Sequence, residues 1–359
     1  MVESILVEDP ISKTPSKPVS VLAAFAAGFD RVAAKPILIL PPLVLDLFLW
    51  FGPHLTLPFL VPIVPDGISA LVDSFGADPA VVEQMDVLQQ MLNLFIERYN
   101  LISALSSLPA GMPFNLLAVL ASLPAGIPSL MAGVMPANTP IGQPQILEIG
   151  DLLSVVVVWA GLTVFGLGLG AFYHRWLAQQ AAPKAEVAAG WIVWIRMVLL
   201  FLTVYIGGFL WIMFMVLLAS IVGLLVPVIG TILLLIVLSL LFWAAVYMAF
   251  TAHGIVLYDF RVVKAMSESV RIVRQNLLST AGFLFLCFFV TWLSMQVWVL
   301  PGDDSWYSLL ALVGHAFVSA TMLAASYIFY QSRRSWFVQM QASLADQATG
   351  GHNKPGLRS

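Results

Sequence analysis

Asp46 and His315 are the residues whose type and place most invite chemistry. Asp46 lies inside the apolar run 37–60, and His315 inside the apolar run 307–330. An ionisable side chain at membrane depth is a functional hypothesis by default. At about 1.5 Å of helical rise per residue, Asp46 lies ~13 Å deep and His315 ~12 Å deep from the opposite face. In a hydrocarbon core about 30 Å thick the two depths nearly coincide. A contact between them is therefore expected, and such a pair can relay protons or bind a cation. It can equally be a satisfied polar contact, with Asp46 kept neutral by desolvation or hydrogen-bonded where Pro41-Pro42 disturbs the helix.

The other histidines carry less. His54, His174, His253 and His315 fall on four different apolar runs, and paired axial histidines are one way to hold haem. His174 and His253 lie at run ends, where a surface histidine needs no special role, so no cofactor is expected. Arg261, Lys264, Arg271 and Arg274 form a basic helical face, with Lys264 and Glu268 spaced to pair at i, i+4. Such a face suits anionic lipid headgroups, and ordinary positive-inside bias would also produce it. No Ser-His-Asp order, HExxH, Walker or EF-hand pattern is present. The GLGLG run at 166–170 lies within an apolar stretch rather than after a strand, so it is no phosphate loop. These patterns lead us to expect neither a catalytic site nor a metal site.

The elements that must position these residues are set by composition. The chain is 60% hydrophobic and 10% charged, with mean hydropathy +0.95, whereas soluble domains carry about 25% charged residues. The lone Cys287 excludes an intrachain disulfide or a Cys-based metal site. There is no basic field for nucleic acid. The opening MVESILVEDP is acidic where a signal peptide would be basic.

Read in order, 1–36 is a cytoplasmic tail and interfacial helix, with an apolar stripe at Leu22, Phe25, Phe29 and Val32. Residues 37–60 form a first, kinked span. Residues 61–150 form a helical insertion containing a heptad seam over 79–105, suited to self-association. The insertion also repeats SLPAGMP at 107–113 as SLPAGIP at 122–128. The apolar pieces there are too short to span, and either lie on the membrane or dip into it. Residues 151–330 hold spans two to six with their connectors. Gly161, Gly166 and Gly170 smooth one face of the second span for helix packing. Residues 331–359 form a partly disordered tail.

Lys and Arg placement then orients the chain. All of them except Arg98 fall on one side, so both termini are expected in the cytoplasm and 61–150 outside. The expected fold is all-α, with six transmembrane helices and interfacial amphipathic helices in three helix-plus-hairpin units. Ala24-x-x-x-Gly28 and Ala265-x-x-x-Ser269 mark the first and third, and 185–196 a weaker middle copy.

Asp259, then Ala265-Met266-x-x-Ser269-x-x-Ile272-Val273-Arg274-Gln275-Asn276, resembles a motif of bacterial six-span membrane proteins. These are the YciC-like proteins and the membrane domain joined to some glycerophosphodiester phosphodiesterases. The likeness covers about 250–300 and implies a six-helix inner-membrane module with no chemistry of its own. The chain departs from that group in its insertion at 61–150, and no phosphodiesterase domain accompanies it. The expected function is a non-enzymatic module that interacts with membrane lipids or a partner membrane protein. The alternative is a permease for an apolar or amphipathic small molecule, with Asp46 on the path.

Overall fold

The computed structural model of the chain describes residues 17–59, 90, 99–106, 126–132, 136, 138–183, 185 and 187–350. The heptad seam lies almost wholly outside these residues, as do the first SLPAGMP copy and the last nine positions. Among the described residues the fold is all-α apart from one short strand pair.

Helix α1, Val21–Ala34, starts where the Ser20 hydroxyl accepts the Ala23 N–H. It buries Ala24, Gly28 and Val32 against the last helix, α9, Ser308–Gly350. The packing leaves no room for a side chain, since a Cβ on Gly28 would lie 2.7 Å from the Thr321 oxygen and the Ala325 nitrogen. Close backbone approach over small residues is how membrane helices gain contact when lipid competes for apolar surface.

The first span differs from expectation. Lys35-Pro36 breaks the chain into a 3-10 turn, Pro36–Ile39, and a short helix α2, Leu40–Phe51. The bent pair turns through 101°. At 12 residues, α2 is about 18 Å long, too short to cross alone. Gly52-Pro53 stops it, because Pro53 cannot donate to the helical ladder. A strand β1, His54–Thr56, then pairs in parallel with β2, Ile146–Glu148, in the register His54↔Ile146. Hydropathy alone gave no sign of these strands.

Among the described residues, four helices are long and apolar enough to cross a membrane. They are α3, Leu152–Ala181; the stretch Pro227–Tyr258; α8, Leu277–Trp298; and α9 over Ser308–Ala345. Counting the bent pair as one makes five. The molecule is thus one suited to being embedded in a membrane. Between α3 and the Pro227–Tyr258 stretch runs α4, Gly190–Leu225, 36 residues with Arg196 its one charge. The stretch itself is two helices, α5, Pro227–Met248, and α6, Thr251–Tyr258. Val226 reverses the chain between α4 and α5, and a Cβ on Gly230 would lie 2.5 Å from the Gly223 Cα. The amphipathic α7, Val262–Gln275, precedes α8.

Two further expectations are corrected. Residues 331–350 do not leave the fold as a tail but continue α9. Of the middle copy at 185–196, Val187–Ala189 are not helical and 190–196 open α4 rather than forming a separate interfacial helix; the connector is stitched down by Ala188 N–H to Val256 O at 3.0 Å and Arg175 Nε to Ala188 O at 2.9 Å. The core gathers where α3, α6 and α9 meet, around Tyr327, Phe250, Phe329 and Phe283. Phe283 stacks on Phe329 with ring centroids 4.5 Å apart.

Candidate functional site

Asp46 is fully buried on α2. Its Oδ1 accepts the Ser129 hydroxyl at 2.5 Å, the Leu130 N–H at 2.8 Å and the Met131 N–H at 3.1 Å. Ser129 Oγ in turn accepts the Ala132 N–H at 3.1 Å. The carboxyl group thus caps an irregular turn of the insertion, as an N-cap residue does for a helix. Its Oδ2 lies 3.4 Å from His315 Nδ1 on α9. Neither of those two atoms has a hydrogen-bond partner. The other imidazole nitrogen, Nε2, meets Ser319 Oγ at 3.1 Å. Asp46 and His315 are therefore neighbours, and the insertion is a third party to the pair.

The same pattern recurs along the insertion. Asn100 Oδ1 accepts the N–H groups of Leu55 and Ile102, each at 3.1 Å. Residues Leu101–Ser106 form a 3-10 helix, not a continuation of the heptad seam. This segment presses on Gly166, whose added Cβ would lie 2.4 Å from the Leu105 oxygen. The glycine face of α3 is expected to receive a helix; at Gly166 it receives the short 3-10 helix Leu101–Ser106, and at Gly161 it faces open space. Gly126, in the second SLPAGIP copy, gives its carbonyl to His174 Nε2 at 3.1 Å. Residues 99–106 and 126–132 of the insertion are therefore packed against the helix bundle, whereas 138–150 are mostly exposed.

His174 and His253, expected at the surface, are fully buried. The cause is that α3 runs on well past His174 and that α6 folds under the bundle. Carbonyl oxygens only accept, so His174 Nε2 carries the proton, and Nδ1 takes the Tyr327 hydroxyl at 2.8 Å. Both ring nitrogens are then engaged, which leaves no lone pair for a haem iron. His253 Nε2 meets Ser326 Oγ at 2.7 Å. His54 Nε2 donates to Leu49 O at 3.0 Å. Burial pushes the His54 imidazole below its usual value, partly opposed by that bond. At the start of α3, the Ser154 hydroxyl and N–H hold the Asp151 carboxyl below the usual carboxylate range. Among the described residues no group of His, Cys, Asp and Glu is arranged to hold a metal ion.

The motif residues near 250–300 have distinct physical roles. Ser269 is buried and bridges the break between α5 and α6, accepting the Phe250 N–H at 3.1 Å and donating to Tyr247 O at 2.7 Å. Ala265 packs against Gly254. Asp259, with left-handed φ of 52°, ends α6 and accepts Arg196 Nη1 at 2.6 Å. Asn276 ends α7, its side chain donating to Ile272 O at 3.1 Å. Arg261, Lys264, Arg271 and Arg274 are exposed on the opposite face. Glu268 pairs with Arg271 at 3.1 Å rather than with Lys264, whose ammonium sits 4.2 Å above the Phe260 ring. Arg334 stacks 3.8 Å from Tyr258 and 5.1 Å from Phe260.

Arg333 was read as part of the tail. It is 3% exposed, donates to Val19 O at 2.6 Å and lies 3.7 Å from the Phe329 ring. It ties the start of α1 to α9, with Ser332 Oγ accepting the Val19 N–H at 2.8 Å. The adjacent aromatic run SYIFY is the signal that could have found it, since a guanidinium one turn along from Phe329 stacks on it. Comparison of the chain with protein-family models, with curated proteins and with solved structures gives no match. The YciC-like resemblance rests on the residues of 250–300 themselves.

Proposed function

We propose that the chain is a six-span bacterial inner-membrane protein of the YciC-like type, with both termini in the cytoplasm. It is a non-enzymatic module that holds anionic lipid headgroups at its cytoplasmic face. On this reading α4 is a span, and the bent α1–α2 pair is the sixth, broken one. The observation that carries it is α7. Ala265, Ser269, Ile272 and Val273 bury one face of this helix, and the other presents Arg261, Lys264, Arg271 and Arg274 to the surroundings. Arg334 extends the positive field from α9. Each Lys or Arg near an anionic leaflet contributes about 1 kcal/mol of attraction.

Native mass spectrometry from mixed-lipid nanodiscs tests this. The wild type should retain phosphatidylglycerol or cardiolipin over phosphatidylethanolamine. Replacing Arg261, Lys264, Arg271 and Arg274 by Gln should abolish that preference. Equal retention of all three lipids by both proteins would show α7 to be an ordinary positive-inside element.

A permease is the second reading. What favours it is the buried Asp46–His315 pair beside irregular backbone, the arrangement that broken helices create in transporters. Asp46→Asn with fold intact and transport of an apolar solute lost would support it. An unchanged rate would end it.

A further inference from the structure

We propose that the chain holds one anionic lipid at a discrete site, its phosphate seated between Lys264 and Arg334 beside the Phe260 ring. This inference rests on the lipid reading above and narrows it. The lipid lies in the seam between α7 and the far half of α9, not spread over the basic face of α7. That seam carries Lys264, Arg271 and Arg334 against one acid, Glu268, which is bonded to Arg271 at 3.1 Å. Asp259 nearby is held by Arg196 at 2.6 Å. Among the described residues no acid pairs with Lys264 or Arg334. Both instead lie against one ring, Phe260, at 4.2 Å and 5.1 Å. Arg334 also stacks 3.8 Å from Tyr258. Two like charges against one ring repel, and an anion between them removes that repulsion. A guanidinium stacked on a ring keeps its N–H edge free to donate, and Arg334 Nε is buried with no hydrogen-bond partner. Phosphate is the group that such an edge and an ammonium both recognise.

The ring is fixed before any lipid arrives. Phe260 is 8% exposed. Its N–H donates to Gly254 O at 3.4 Å, and its carbonyl accepts Arg196 Nη1 at 3.2 Å. Arg334 is placed from the other side, because Ser332 and Arg333 tie this stretch of α9 to Val19. The surroundings favour a lipid over free phosphate. Val263 and Val270 are exposed among the same cations. A helix that shows apolar side chains beside basic ones matches headgroup depth, where acyl chains cover the former. Arg274 is ten residues from Lys264, about 15 Å along α7, so one phosphate cannot reach both. It therefore serves as the control for bulk charge.

Titration of the full chain in detergent with phosphatidylglycerol, read by native mass spectrometry, tests the site. The wild type should take up one lipid well before any further ones. Lys264→Gln and Arg334→Gln, on different helices, should each weaken that first lipid at least about fivefold. Arg274→Gln removes the same charge from the same helix as Lys264→Gln and should weaken it less than about twofold. Excess inorganic phosphate at constant ionic strength should leave the lipid in place. Equal losses in all three variants, with the wild type still preferring phosphatidylglycerol to phosphatidylethanolamine, would overturn the discrete site and leave the lipid reading standing. A wild type that prefers neither lipid fails the lipid reading and the site with it. Displacement by inorganic phosphate would assign the seam to a free phosphate and overturn the lipid. Should Arg334→Gln not fold, Lys264→Gln against Arg274→Gln decides, since both side chains are exposed.

Discussion

Several buried polar side chains in this molecule, Asp46, Asn100, His174 and Ser269 among them, serve backbone at breaks and irregular segments. Ser269 illustrates the energetics. Its hydroxyl serves one donor and one acceptor exposed by the break at 249–250, and removing it strands both. Ser269→Ala should therefore cost about 1–3 kcal/mol, read as a lowered melting temperature in detergent. A loss within a few tenths would mean that the break has another partner. His54 predicts a pH dependence. Its imidazole is depressed by burial, so the unfolded chain binds its proton first as pH falls. The stability it contributes is complete above its ordinary value near 6.5 and is lost as pH falls through the lower folded value. The melting temperature should thus decline between about pH 7 and pH 5, less steeply in His54→Gln. Identical slopes would remove His54 from the account. Much of this scale was legible beforehand. Counting residues into the apolar runs 37–60 and 307–330 put Asp46 and His315 at similar depths, and the two are neighbours even though α2 is too short to cross alone. What Asp46 holds was not legible. Its donors at 130 and 131 are main-chain N–H groups, which every residue but proline carries.

Elements here are joined by missing side chains as much as by present ones. Gly28 admits α9 at a distance that no Cβ would allow, whereas Gly161 faces open space. Gly→Ala in a helix interior is worth up to about 1 kcal/mol of stabilisation where nothing obstructs it. Gly161→Ala should therefore be neutral or slightly stabilising. Gly28→Ala should destabilise by about 1–3 kcal/mol, as overpacking does. Parallel thermal melts compare the two, and equal shifts would mean that α1 does not seat on α9 as described. The apolar runs that became α3, α5, α8 and α9 could be read from hydropathy because each is long enough to stand alone. The bend before α2 and the β1–β2 pair could not. Three-residue strands have no usable period, and 54–56 meets 146–148 only through the insertion between them. The Lys35-Pro36 break was written in the sequence, as was Gly52-Pro53, yet continuous hydropathy outweighed them.

At the scale of the whole molecule, the proposed topology makes its own prediction. Reporter domains fused at the C-terminus and inserted at Asp303-Asp304 should report opposite sides of the inner membrane. A shared side would exclude six spans with cytoplasmic termini. The proposed orientation rests on the distribution of Lys and Arg alone, a charge asymmetry that survives whatever the helices do in between. The reach of α9 was hidden, since nothing in 331–350 is apolar enough to attract notice. At 43 residues it is about 65 Å long, roughly twice the hydrocarbon thickness. From His315 to Thr349 it contains neither glycine nor proline, so no joint interrupts it. A rod of this kind can carry leverage along its whole length, and His315 beside Asp46 lies near its other end. The wedge of Ser332 and Arg333 against Val19 is where such a lever would find its fulcrum.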